Sequence, residues 1–212
     1  MKAYKGFNKD MTCKDFQYEI GKEYETDEAK ACTCGFHACE YPLDCFFYYA
    51  PSKSVYCEVE QSGDISKTND DTKVASTKIK IGAEIGIKGL IKAAFEYVKE
   101  RCTNEQMGAD KAALTGGDWS ALTGGYQSAL TGGNRSALTG GYQSALTGGD
   151  WSVVYGGEGS KVSGGLHSVL AIQLWKDGKF KCIKFKEVDG VKIKANTFYK
   201  LDNAGRFVEV KE

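Results

Sequence analysis

The chain has 212 residues and carries 28 Lys and Arg against 28 Asp and Glu, so its formal net charge is zero. A balanced charge argues against both a strongly basic nucleic-acid binder and a wholly acidic DNA mimic, and a nucleic-acid partner is therefore not favoured. The length suffices for one or two globular domains.

The composition also predicts a cellular compartment. The first residues, Met1-Lys-Ala-Tyr-Lys-Gly6, lack the apolar core of a signal peptide, and no later run approaches the length of a membrane span. Eight cysteines without a secretion signal are typical of a reducing environment. We therefore expect a cytoplasmic protein with no membrane partner, whose thiols are free or bind a metal.

The N-terminal residues 1–88 predict a compact α+β domain. Ser54-Val-Tyr-Cys-Glu-Val-Glu60 alternates as a strand does, and Pro42 and Pro51 bound a short helical segment. Residues 89–103 predict an amphipathic helix, because their apolar side chains fall on one helical face. We expect this helix to lie on the N-terminal domain or to cap the open end of the repeats that follow.

A dense group of metal-ligating residue types lies within this domain. Zinc prefers four Cys or His ligands, so Cys32, Cys34, His37 and Cys39 are candidate ligands of a structural zinc ion. The Cys-x-Cys spacing is tighter than zinc sites usually show, and no second matched pair follows. Buried structural cysteines are the alternative interpretation, and no other cofactor is expected.

Residues 113–172 repeat every eight positions with the pattern Ser-Ala-Leu-Thr-Gly-Gly-x-x, and the pattern predicts stacked units that share one core. Alternation along a strand turns the third position inward and the Ala and Thr positions outward. The Gly-Gly pair predicts a sharp corner with positive φ. The inward position is apolar in every repeat: Leu114, Leu122, Leu130, Leu138, Leu146, Val154, Val162 and Leu170.

The variable pair of each repeat fixes the number of repeats per coil. With two repeats, or sixteen residues, per coil, Asp118, Asn134 and Asp150 stack on one corner, whereas three per coil would mix unlike residues. The sequence thus predicts a two-sided parallel β-solenoid of about four coils. The same register places aromatic and basic residues in two edge stacks, one of Trp119, Arg135, Trp151 and His167 and one of Tyr126 and Tyr142.

The edge stacks have two interpretations. An Arg between two Trp rings is a favourable cation–π arrangement that can simply stabilise the fold. Exposed Trp, Tyr and Arg are also typical of interface hot spots, so the same residues are candidate binding residues. The flat outward Ala and Thr faces suit packing against a second copy of the chain. Residues 173–212 alternate between Asp-Gly turns and predict a β-meander that caps the last coil.

Two resemblances accompany these patterns. The Ser-small-apolar-Gly strands resemble the head repeats of trimeric autotransporter adhesins, which implies a β-roll. A second set of residues resembles an uncharacterised family of phage and prophage proteins, which implies a small protein made in the host cytoplasm during infection. That set consists of Lys5-Gly-Phe-Asn8, Cys34-Gly-Phe-His-Ala-Cys39, Pro42-Leu-Asp44, the glycine-rich repeats and Lys194-Ala-Asn-Thr-Phe-Tyr199.

The expected function is that of a non-enzymatic phage- or prophage-encoded binding protein, accessory or anti-defence, which engages a host protein or complex through the solenoid or its aromatic edge. Two alternatives remain open. One is a structural oligomer or virion component packed through the Ala and Thr faces. The other is an enzyme, because four short segments resemble landmarks of ADP-ribosyltransferases: Tyr4-Lys-Gly6, Gly35-Phe-His-Ala38, Ser52-Lys-Ser54 and Cys57-Glu-Val-Glu60.

Overall fold

A computed structural model describes residues 1–67, 72–102 and 104–211. The chain divides into two compact units, Met1–Ala94 and Phe95–Glu212. Among the helices of the described residues, none has the length and apolar character needed to cross a membrane.

The first unit is an α+β fold around one antiparallel sheet, as predicted. Its elements are β1 (Lys2–Asn8), β2 (Thr12–Cys13), β3 (Phe16–Gln17), β4 (Glu23–Glu25), β5 (Phe36–Cys39), a 3-10 turn (Pro42–Asp44), α1 (Cys45–Tyr48), β6 (Ser54–Lys67) and β7 (Lys73–Glu84). The strand order is β4-β7-β5-β1-β6, and β6 also pairs with β7, so that four strands form a closed ring of pairings.

Alternation along these strands builds the core of the first unit. Ala3 and Phe7 of β1, Val59 of β6 and Ile79 and Ile81 of β7 are all at most 2% exposed and belong to one apolar cluster. The helix that the sequence predicts for residues 89–103 is α2 (Gly86–Arg101). Thr103, the last residue of that prediction, lies outside the described residues.

The second unit is a parallel β-solenoid followed by two hairpins. Its strands are β8 (Asn104–Met107), β9 (Ala113–Thr115), β10 (Ser120–Gly124), β11 (Ala129–Thr131), β12 (Ala137–Gly140), β13 (Ala145–Thr147), β14 (Val153–Gly156), β15 (Lys161–Ser163), β16 (Val169–Lys176), β17 (Lys179–Glu187), β18 (Tyr199–Leu201) and β19 (Phe207–Glu209). One sheet has the order β17-β16-β14-β12-β10-β8 and the other β19-β18-β15-β13-β11-β9.

The register confirms the predicted coil. Leu122 pairs with Leu138 in one sheet and Leu130 with Leu146 in the other, so equivalent residues are sixteen apart. These four side chains are at most 1% exposed and join one apolar cluster. The C-terminal strands do not form one meander of their own. Each hairpin continues one of the two sheets, because β17 pairs with β16 and β18 pairs with β15.

The two outward faces of the solenoid differ in exposure. On the β10–β14 side, Ala121, Ala137 and Val153 are at most 9% exposed, although they point away from the Leu core. On the opposite side, Ala129 and Thr131 are exposed. The predicted packing of a second copy on these faces stays a prediction. Thr123 is exposed on the β10–β14 side as well.

The glycine pairs do not adopt the positive φ that the sequence predicts. In the described repeats the positive φ falls on the eighth position, at Trp119 (58°), Arg135 (54°) and Trp151 (53°), for example, and at none of the paired glycines. The glycines are needed for space instead. A Cβ on Gly133 would lie 2.6 Å from the backbone nitrogen of Asp118 in the preceding coil.

Polar groups between coils are satisfied by two ladders. The Oδ1 atom of Asp118 accepts a hydrogen bond from the backbone N–H of Asn134 at 2.8 Å. Inside the corners, the Ser168 hydroxyl donates to the Gly149 carbonyl at 2.8 Å and accepts from the Ser152 N–H at 2.9 Å. The first-position serines are therefore buried structural residues: Ser120, Ser128, Ser136, Ser144, Ser152, Ser160 and Ser168.

A matched pair of substitutions tests the spacing between coils. We expect Gly133→Ala to lower the free energy of unfolding by about 2 kcal/mol or more, because the new methyl group meets rigid backbone. Gly117 occupies the same repeat position with nothing within 4 Å of its Cβ site, so Gly117→Ala should be neutral or slightly stabilising. Urea unfolding measures both, and equal midpoints for the two variants would contradict this explanation.

Candidate functional site

The structure brings Trp119, Arg135, Trp151 and His167 together as one edge stack. The Arg135 guanidinium carbon lies 5.4 Å from the ring centroids of both Trp119 and Trp151. The Trp151 and His167 rings stack with centroids 5.6 Å apart. The predicted adjacency of these four residues is therefore correct, while a binding role for them stays a prediction.

This edge is not an open surface. All four residues are only partly exposed, and the Tyr97 ring of α2 lies 6.1 Å from the Trp119 ring. The Arg101 guanidinium carbon in turn lies 3.7 Å from the Tyr97 centroid. The contacts extend the stack into the helix, and they favour a mainly structural role for this edge.

The opposite edge is open. Tyr126 and Tyr142 are 40% and 44% exposed, and their rings are 5.8 Å apart and within 3° of parallel. Beside them, the Gln127 side-chain amide donates to the Gln143 carbonyl oxygen at 3.1 Å, and the Gln143 amide donates to the Tyr142 hydroxyl at 3.1 Å. We call these four residues the tyrosine edge.

The structure does not group Cys32, Cys34, His37 and Cys39 around one point, and the zinc site that they suggest stays a prediction. The two nitrogens of the His37 ring face the backbone of the same loop, with Nε2 accepting from the Cys32 N–H at 3.0 Å and Nδ1 lying 3.1 Å from the Gly35 carbonyl oxygen. Burial and the nearby Lys5 ammonium lower the pKa of His37, which favours the neutral ring that this pattern needs. Within the described ranges, no three His, Cys, Asp or Glu side chains are grouped to hold a metal ion.

Part of this cysteine-rich segment lines a cavity in the first unit. The cavity has a volume of about 820 Å³, within the range of small-molecule sites. Its walls come from β1, the β2–β3 hairpin, β5 and the end of α1. Cys32, His37 and Cys39 line it, and Cys34 is outside the lining described. The sequence pattern does not indicate this cavity, since its walls come from several short elements that only the fold brings together.

Lys5 is a buried charged residue that lines the cavity. It is 5% exposed, and its ammonium donates to the His37 carbonyl at 2.8 Å and to the Cys13 sulfur at 3.4 Å. The ammonium also lies 5.4 Å from the Phe7 ring centroid. The Tyr49 hydroxyl donates to the same Cys13 sulfur at 2.9 Å. Burial and this contact with Cys13 raise the pKa of Tyr49, so it remains a hydrogen-bond donor.

A second lysine lies on the same cavity. The Lys73 ammonium donates to the Tyr48 hydroxyl at 3.1 Å and lies 4.8 Å from the centre of that ring. Hydrogen bonding to the Cys32 side chain is the largest cause that raises the pKa of Lys73, with Tyr48 adding to it. The cavity therefore combines ammonium groups with aromatic walls.

Glu187 is a titratable group in the solenoid unit. Its carboxylate is 21% exposed and lies 3.8 Å from His167 Nδ1. Burial, with a smaller contribution from the charge of Asp189, raises the pKa of Glu187 from 4.5 to about 7. Between these two values the folded state retains a proton that the unfolded state has lost.

The pKa of Glu187 predicts a pH dependence of stability. Because the folded state binds more protons between pH 4.5 and about 7, the free energy of unfolding should fall as the pH rises through this window. Glu187→Gln should remove this slope and raise stability at pH 7.5 by up to about 3 kcal/mol. Urea unfolding from pH 4.5 to 7.5 measures it, with the exposed Glu209→Gln as the control; an unchanged slope in Glu187→Gln would contradict the assignment.

The chain was compared with protein-family models, with curated proteins and with solved structures. No curated protein and no solved structure matches the chain. A family model matches the N-terminal part of the chain, and that match carries neither a phage assignment nor a family for the repeats. Residues 1–93 match the model of a domain of unknown function, DUF7666.

Proposed function

We propose that this protein is a non-enzymatic binding protein, and that its tyrosine edge engages another protein. The observation that carries the proposal is the exposed, parallel stack of Tyr126 and Tyr142. Tyrosine supplies a large contact area with a polar tip, and it is enriched among the residues that dominate interface energies.

The stack is ordered before any partner arrives. The sixteen-residue register fixes the distance between the two rings, and the Gln143 amide is bonded to the Tyr142 hydroxyl. Binding therefore loses little side-chain entropy, and rigid aromatic groups give more affinity than mobile ones with the same contact area. The half-buried Trp119 edge lacks this accessibility.

The chemistry of the edge favours a protein partner over a nucleic acid. Its four residues are uncharged, whereas nucleic-acid binding depends on several lysine or arginine contacts with phosphates. A partner with an apolar pocket and hydrogen-bonding groups fits the Tyr and Gln side chains.

The proposal also includes the origin, the role and the target of the protein. We propose a phage or prophage origin, an accessory or anti-defence role, and a host protein or complex in the host cytoplasm as the target. They are supported by the resemblance stated above.

The enzymatic alternative gains no support from the first unit. Glu60, the glutamate whose substitution would test this alternative, lies on β6 opposite Lys2 of β1. It is not among the residues that line the cavity of the described chain. We therefore do not carry an ADP-ribosyltransferase activity into the proposal.

Comparative capture tests the proposal. Wild-type protein, the double variant Tyr126→Ala/Tyr142→Ala and the control Phe180→Ala are immobilised and exposed to a bacterial lysate, and retained proteins are quantified. Phe180 is 51% exposed and lies on β17, outside the four residues of the tyrosine edge, so its variant controls for general aromatic adhesion. A partner of the tyrosine edge should be retained by the wild type and the control and lost by the double variant.

The purified partner then gives a quantitative test. Two hot-spot residues correspond to a loss of about 2 kcal/mol or more, so the dissociation constant should rise at least about thirtyfold in the double variant. Equal affinity for all three proteins would overturn the proposal. Unfolding curves of the double variant should match those of the wild type to within about 1 kcal/mol, because both residues are exposed and lie outside the apolar core cluster.

A further inference from the structure

We propose that the cavity of the first unit binds a small anionic molecule with a flat aromatic body, and that Lys5 receives its anionic group. This site is separate in place and in chemistry from the tyrosine edge. The proposal rests on the contacts of Lys5, on the aromatic walls and on the balance of charge around the cavity.

The first observation is the setting of the Lys5 ammonium. It is held by a carbonyl oxygen, a sulfur atom and the faces of the Phe7 and Tyr18 rings. Among the described residues, no carboxylate lies within 4 Å of it. A buried ammonium without an anionic partner is costly, and a bound anion supplies the missing charge.

The second observation is the aromatic lining. Phe16, Tyr18 and Phe36 form mutual ring contacts with centroids 4.7 to 6.3 Å apart. Tyr48 and Tyr49 also line the cavity. Phe16 is 44% exposed, which is unusual for a ring in such a cluster and leaves a face for a ligand. Flat aromatic molecules pack well between such rings.

The third observation is the charge balance. The lysines of the lining are Lys5, Lys14 and Lys73, and the acidic residues are Asp15 and Glu25. The Glu25 carboxylate is already paired with Lys78 at 2.9 Å, outside the lining. Without the paired Glu25, and without counting Lys73, the lining keeps Lys5 and Lys14 against Asp15. The net positive charge favours anions over cations of the same shape.

Two probes with the same naphthalene ring and opposite charge test the selectivity. The anion 1-naphthoate and the cation 1-naphthylmethylammonium are titrated into the full-length protein by calorimetry. We expect 1-naphthoate to bind at least tenfold more tightly than the cation. Equal binding of the two probes, or tighter binding of the cation, would overturn the proposal.

The role of Lys5 is tested by Lys5→Met, which keeps most of the length of the side chain and removes its charge. We expect this variant to bind 1-naphthoate at least tenfold more weakly. Lys80→Met is the control, since Lys80 is exposed on β7 and outside the lining. Unchanged 1-naphthoate affinity in folded Lys5→Met would show that Lys5 does not receive the anion.

A measurement on the wild type keeps the proposal falsifiable if Lys5→Met does not fold. Cys13 touches Lys5 and lines the cavity, whereas Cys102 lies in the second unit. Saturating 1-naphthoate should slow the alkylation of Cys13 by iodoacetamide at least fivefold and leave Cys102 unchanged, as measured by peptide mass spectrometry. Equal rates at Cys13 with and without 1-naphthoate would place the probe outside this cavity and overturn the proposal.

Discussion

The close, in-register stacking of successive coils is the constraint on which the solenoid depends. Each residue meets its equivalent sixteen positions later, and the Leu core and the parallel hydrogen bonds fix that register together. At the corners the coils approach so closely that a Cβ on Gly133 would meet the backbone of the preceding coil. The same proximity lets the Asp118 side chain accept a hydrogen bond from the Asn134 backbone in the next coil.

Repetition alone explains why aromatic residues stack on both edges. A ring placed at a corner position finds its equivalent one coil away, whether or not a ligand uses it. The two edges differ in their surroundings, since Trp119 contacts Tyr97 of α2 and is only partly exposed, while Tyr126 and Tyr142 are exposed. The exposure of the tyrosine rings, and not the presence of a stack, therefore marks the candidate binding edge.

The sequence predicts those features of the solenoid that depend only on periodicity. The two-sided coil, the inward Leu position and the adjacency of Trp119, Arg135 and Trp151 all follow from counting residues. The role of the glycines was predicted wrongly. Glycine is equally required where φ is positive and where a neighbour is too close, and the sequence does not distinguish the two causes.

The candidate site of the first unit was beyond the reach of sequence reasoning. Lys5 stands in an ordinary strand, and its contacts Cys13, His37 and Tyr18 come from separate elements that only the fold brings together. The residue pattern of the cysteine segment predicts metal ligands and gives no sign of a cavity wall. His37 has both ring nitrogens directed at its own loop, a use that depends on backbone geometry absent from the residue pattern.

The alternation of the two edges makes the solenoid sensitive to the phase of any change in its length. Recombination between the near-identical repeats can insert or delete multiples of eight residues. A sixteen-residue duplication adds a whole coil and leaves each later residue on its original edge, so the gene can lengthen the tyrosine stack without altering the terminal hairpins. An eight-residue duplication moves every later strand to the opposite sheet, so the pairs β14–β16 and β15–β18 are kept while each later corner residue changes its edge. Only a change by whole coils therefore keeps both edge stacks continuous.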